Sequence, residues 1–214
     1  MLLPTMTIEE IRREIEKDYP IVVRKCDYVS KKMDRYRKVK RDELLTGYFD
    51  YTSKYKNEWI CKIEISKDLV RTKFMAYYYA ESGLAAIGVL EAGEKIMYFT
   101  SHFLKRYNER RKLGIVMPKD LVKSCLDNQE TYSFKRLDKM SADVWSFFCT
   151  TNTGAILGFC YDKLNFYRMN TFLTSSMLKG DQIKMEQSVR DGLRAHWSPS
   201  DWPFSPNDRM EPIN

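Results

Sequence analysis

Histidine is scarce in this chain, with only His102 and His196 among 214 residues, and the five cysteines form no Cys-x-x-Cys pair. A histidine-rich metal site is therefore excluded, and the spacing of Cys26, Cys61, Cys125, Cys149 and Cys160 argues against structural zinc. Their odd number and wide separation argue equally against a disulfide framework. Thiols in settings such as Phe147-Phe148-Cys149 serve as small hydrophobes, so a reducing, cytoplasmic location is expected. Long hydrophobic runs are missing too. Stretches such as Leu84-Ala85-Ala86-Ile87 are far too short to cross a bilayer, and no membrane partner is expected. Met1-Leu2-Leu3 runs directly into Pro4 and an acidic segment, which does not read as a signal peptide. The chain has no Gly-rich phosphate loop, no Gly-x-Ser-x-Gly elbow and no His-Glu-x-x-His. The acidic pairs Glu9-Glu10 and Asp42-Glu43 fall on expected helix surfaces and do not suggest glycosidase carboxylates. No cofactor is implied, and no internal repeat is evident.

What is present is a globular composition: 43% hydrophobic and 14% aromatic residues, enough to exclude a disordered chain. The formal charge of +7 is concentrated. Residues 24–41 hold Arg24, Lys25, Lys31, Lys32, Arg35, Arg37, Lys38, Lys40 and Arg41 against only Asp27 and Asp34, while the rest of the chain balances to neutrality. Such a patch attracts polyanions through counterion release. Tyr28 and Tyr36 in the same window offer rings on which bases could stack. The competing account is a solvated helix face, because Lys and Arg are good helix formers.

The expected fold is α+β: an antiparallel β-sheet, made of a meander plus C-terminal strands, packed with several helices in one domain spanning 1–214. A helical part over 5–45 opens with the capping box Thr7-Ile8-Glu9-Glu10, and Ile8, Ile11 and Ile15 recur at helical spacing. This first helix is expected to end before Pro20, and the basic stretch 28–45 to form a second, with Val29, Met33, Tyr36 and Leu44 as inner positions. A five-stranded meander follows within 46–100, its turns marked by Lys56-Asn57, Glu81-Ser82-Gly83 and Glu91-Ala92-Gly93-Glu94. The apolar run 84–90 fits either a strand or a buried helix. Over 101–174 a helix pair precedes a sheet. Ser101 is expected to cap a helix over 102–112, Pro118 to open the next, and strands to occupy 131–136, 144–151, 155–161 and 164–172. Asn152-Thr153-Gly154 reads as a hairpin loop with Gly in the left-handed position. In 175–214 a last helix is expected over 180–196, burying Ile183, Met185, Val189 and Leu193. A Pro-rich tail then carries Trp197, Trp202 and Phe204. Whether the two β regions make one sheet or two is open.

The segment Ser101-His102-Phe103-Leu104-Lys105-Arg106-Tyr107-Asn108-Glu109-Arg110-Arg111 sets His102, Arg106 and Arg110 four residues apart. Each step of four drifts by roughly 40° around a helix, so the three share one side. A histidine that moves protons beside two arginines that stabilise a charged phosphorus could cleave RNA without metal. The plain alternative is an Arg-rich surface helix that buries Phe103, Leu104 and Tyr107.

Segment 96–174 resembles the RelE-like ribonuclease-toxin domains of the barnase/colicin/RelE superfamily. In one branch a strand leads into a helix beginning His-Ala-x-x-Arg-x-x-x-Arg-Gly, followed by a second helix and an antiparallel sheet. Ile96-Met97-Tyr98-Phe99-Thr100 stands as that strand, Lys119-Asp120-Leu121-Val122 matches the opening of the second helix, and Phe166-Tyr167-Arg168-Met169-Asn170-Thr171 would be the last strand. Phe103 replaces the motif's Ala, and Arg111-Lys112-Leu113 intervenes before Gly114. The resemblance implies His102 as acid/base, Arg106 and Arg110 on the phosphate, and Tyr167 or Thr171 completing the site. It implies RNA as substrate, with a protein antitoxin or other protein as partner. Three functions thus compete: a metal-independent endoribonuclease or its inactive relative, a non-catalytic nucleic-acid- or protein-binding module using 24–41, and an interaction or structural protein of a mobile element.

Overall fold

The computed structural model describes residues 1–41, 43–90, 93–127, 133–151 and 153–196. Its elements are helix α1 (Ile8–Lys40), strands β1 (Leu44–Thr52), β2 (Glu58–Ser66), β3 (Val70–Ala80), β4 (Gly83–Leu90) and β5 (Lys95–Phe99). Helices α2 (Ser101–Arg110) and α3 (Pro118–Asp127) follow, then β6 (Ser133–Ser141), β7 (Val144–Thr151), β8 (Gly154–Tyr161), β9 (Phe166–Leu173) and α4 (Asp181–His196). The fold is α+β.

Both β regions join one nine-stranded sheet in the order β1-β2-β3-β4-β5-β9-β8-β7-β6. Its pairs are antiparallel except the central one, where β5 runs parallel to β9 over Ile96–Phe166 to Phe99–Met169. The 84–90 run is strand β4, because its Ala85, Ala86 and Ile87 are buried between layers on both faces. Helices α2 and α3 cover one face, and Phe103, Leu104, Tyr107, Val122 and Leu126 pack there on Ile60, Met97, Phe147 and Phe172. On the other face α1 packs Ile11, Ile15, Val22 and Cys26 over Trp59, Cys61, Ile87 and Ile96. Met185 of α4 joins a smaller cluster with Phe148 and Leu178.

Two helices expected before residue 45 are one. α1 runs unbroken for 33 residues with Pro20 inside it. An interior proline removes a backbone bond and costs about 3 kcal/mol. Pro20 and Glu16, whose carbonyl loses its donor, both face solvent, while four apolar side chains on the inner face each gain about 1.5–3 kcal/mol by burial. The buried positions of its later turns are Val22, Cys26, Ser30 and Arg37; of the expected inner residues Val29 and Met33 are half-buried, with the Met33 thioether against Gly47 of β1, whereas Tyr36 is exposed and Leu44 falls in β1. The Thr7–Glu10 capping box is present at the N-terminus.

Smaller differences have local causes. Thr100, not Ser101, caps α2: its hydroxyl accepts the Phe103 N–H at 3.1 Å and donates to the Met169 carbonyl at 3.0 Å. The cap therefore ties the helix start to β9. Gly154 opens β8 at φ 153°, away from the left-handed helical well, and a Cβ there would collide with the Leu173 carbonyl. Ile183 of α4 is exposed, while the side chains of Val189 and Leu193, residue Asn152 and the tail from Trp197 lie outside the described residues.

Candidate nucleic-acid interface

The outer side of α1 is the largest concentration of cations in the sequence, and the fold decides which of them reach solvent. Arg24, Lys25, Lys31, Lys32, Arg35, Lys38, Lys40 and Arg41 are exposed. Arg37 turns inward, where its guanidinium bonds the Asp34 carboxylate at 3.0 Å; Lys38 pairs with the other oxygen of Asp34 at 2.7 Å. These two cations hold the Asp34 carboxyl below its ordinary range. Among the described residues no carboxylate pairs with Arg24, Lys25, Lys31, Lys32, Arg35, Lys40 or Arg41. Basic residues in the last turn also suit the negative end of the helix dipole.

Aromatic rings interleave with these cations. Tyr28 and Tyr36 are each 54% exposed and lie about 12 Å apart along the axis, eight residues at 1.5 Å each. The Lys32 ammonium sits 4.5 Å from the Tyr28 ring centre, Lys25 lies 5.7 Å from it, and Lys40 lies 5.9 Å from Tyr36. Lys32 accordingly lowers the Tyr28 phenol from its ordinary value. The stripe Arg24–Tyr28–Lys31/Lys32–Arg35/Tyr36 follows three- and four-residue spacing, so it forms one side of the helix.

The second candidate cluster lies on α2 and β9. His102 is exposed at the second position of α2. Arg106 reaches along its own helix to Glu109 at 2.9 Å. Arg110 donates to the Phe172 carbonyl and to the Thr171 hydroxyl, 3.3 Å away, which clamps the end of α2 onto β9. Arg110 and Thr171 are thus brought together. Tyr167 lies four residues from Thr171 along β9, about 13 Å in an extended strand, and packs on Phe134 and Phe147 at ring distances of 4.8 and 5.9 Å. Burial, reinforced by the neighbouring Cys160 thiol, pushes its phenol up to about 12, so it stays protonated at neutral pH.

No family model, curated protein or solved structure matches this chain. Among the described residues no group of three or more His, Cys, Asp and Glu is placed to hold a metal ion, and no helix is long and apolar enough to cross a membrane. All five cysteines are free thiols and buried. One feature of the α1 surface escapes the charge count: Val39, 81% exposed, extends the stripe beyond Tyr36 with an aliphatic side chain. The three- and four-residue steps from Tyr28 through Lys32 and Arg35 place it on that side.

Proposed function

We propose that this protein is a non-catalytic nucleic-acid-binding module whose contact surface is the outer side of α1. The observation that carries this is the unneutralised cation stripe of Arg24, Lys25, Lys31, Lys32 and Arg35 with the exposed rings of Tyr28 and Tyr36 set into it. Cations without carboxylate partners release counterions when they meet phosphates, and tyrosine faces accept unstacked bases at about 1–3 kcal/mol each. Arg37 and Lys38 contribute less, since Asp34 already engages both.

The test is titration of a labelled single-stranded RNA across a salt series. Lys31→Ala, Lys32→Ala and Arg35→Ala are each expected to weaken binding and to reduce the salt slope by about one. Affinity that is insensitive to salt, or unchanged in the triple variant, would overturn the proposal.

A second reading is the RelE-like endoribonuclease, with His102 as acid/base and Arg106 and Arg110 on the phosphate. The contact of Arg110 with Thr171 favours it, since it joins two of the implied site residues. Against it stand the engagement of Arg110 with a strand carbonyl and of Arg106 with Glu109. The same RNA incubated in EDTA is expected to remain intact. Cleavage that disappears in His102→Ala would replace the binding proposal with the enzymatic one.

A further inference from the structure

The two edges of the sheet are built differently. At one edge β6 carries Lys135, Arg136, Asp138 and Lys139 within nine residues, and its register with β7 is broken between Arg136 and Lys139 and again between Lys139 and Ser141. Charges and irregularities of this kind are how a sheet edge refuses another strand. At the other edge β1 has neither protection. Its nine residues include one charged side chain, Asp50, and no proline, and its register with β2 is unbroken from Leu44–Ser66 to Thr52–Glu58. Asp50 is already paired with Lys119 at 3.0 Å.

In an antiparallel ladder, alternate residues bond the neighbouring strand, and those between them turn N–H and C=O to the opposite side. Among the described residues no strand pairs with β1 on that outer side. Leu44 is also left as a large exposed apolar side chain, 63% accessible, and the Tyr48 ring is 42% accessible although its hydroxyl bonds Asp127. A regular, nearly uncharged edge nine residues long is a template for a further strand.

We propose that β1 is a dimerisation edge, at which two copies of the chain pair β1 against β1 about a two-fold axis and merge their sheets. The second copy is the favoured occupant because the strand complements its own reverse. Full overlap of residues 44–52 sets Tyr48 opposite Tyr48, Gly47 opposite Phe49, Thr46 opposite Asp50 and Leu44 opposite Thr52 of the second copy. Between the two strands no like charges meet, and at the axis Tyr48 faces Tyr48, an aromatic cross-strand pair. The contact is isologous and closes at two chains. A foreign strand would use the same backbone groups without this side-chain match. The proposal rests on the edge alone and stands whether or not α1 binds nucleic acid. The dimer would place both α1 stripes on one face of the merged sheet.

Sedimentation equilibrium of the full chain over a concentration series tests it. Wild type is expected to form a reversible dimer. Thr46→Glu sets like charges opposite Asp50 at two symmetric places and is expected to weaken dimerisation about tenfold. Thr46→Lys sets opposite charges there and is expected to keep or tighten the dimer. Circular dichroism melts of the dilute variants show whether each monomer is folded. Tyr48→Cys places a thiol at the axis and is expected to give a disulfide-linked dimer on mild oxidation, which the five buried native cysteines do not. A monomer at every soluble concentration overturns the proposal. So does a dimer that ignores the charge at Thr46 and yields no Tyr48→Cys cross-link.

Discussion

Asp18 illustrates what single residues do beneath α1. It is fully buried, and one carboxylate oxygen accepts the Trp59 indole N–H and the Asn57 amide, both at 2.8 Å. Asp18→Ala would strand two buried donors, so it is expected to cost about 2–4 kcal/mol, read as a lower urea midpoint with unchanged slope. Asp18→Asn keeps an acceptor and should lose less. None of this was legible in the sequence, where Asp18 looks like one more acid in an amphipathic helix. Arg110 is the converse case. Its spacing from His102 and Arg106 was legible and correct, since all three share α2. The sequence could not show that a carbonyl of β9 would occupy its guanidinium, because that carbonyl comes from 62 residues away.

At the scale of elements, local signals located strands better than they bounded α1. Turn residues and β-branched runs anticipated a meander of five strands, with only the 84–90 run left open between strand and helix, and β7 was expected over 144–151, as found. Hairpins are local structures, so their signals sit in adjacent residues. Pro20 misled because the rule that a proline ends a helix describes the chain without its sheet. Replacing it tests that account. Pro20→Ala restores the missing backbone donor on an exposed surface and is expected to stabilise the protein by about 1–3 kcal/mol, measured as a raised Tm. A fall in Tm would mean that the proline shapes α1 against the sheet. The basic surface lies on the same element, with Tyr28, Lys32 and Tyr36 on one side of it.

Across the whole molecule, two antiparallel regions meet at a single short parallel pairing, β5 with β9. Four residue pairs alone would make a weak seam. The seam is reinforced by α2, which follows β5 directly and buries Phe103 and Tyr107 against Phe172 of β9, with ring distances of 6.3 and 5.2 Å. The apolar cluster on that face runs from Ile60 in β2 to Cys149 in β7, so both regions share one core. Unfolding is therefore expected to be a single event. Trp59 in β2 and Trp145 in β7 are natural probes: in each variant that retains only one of them among the tryptophans, the fluorescence transition in urea should coincide with the far-UV circular dichroism transition of that same variant. Separate midpoints would show that the regions unfold independently.

The sequence by itself determined the class of the fold, most strand positions, the placement of charge at residues 24–41 and the order of elements from β5 to β9. Each of these follows from neighbours in the chain, through turn chemistry, side-chain periodicity and local composition. Tertiary structure alone decided that the strands form one sheet, that α1 continues through Pro20, that Arg37 turns inward and Arg110 clamps a strand, and that β1 ends the sheet on one side among the described residues. Those outcomes depend on burial and on backbone partners distant in sequence, and no local pattern encodes which partner a group will meet.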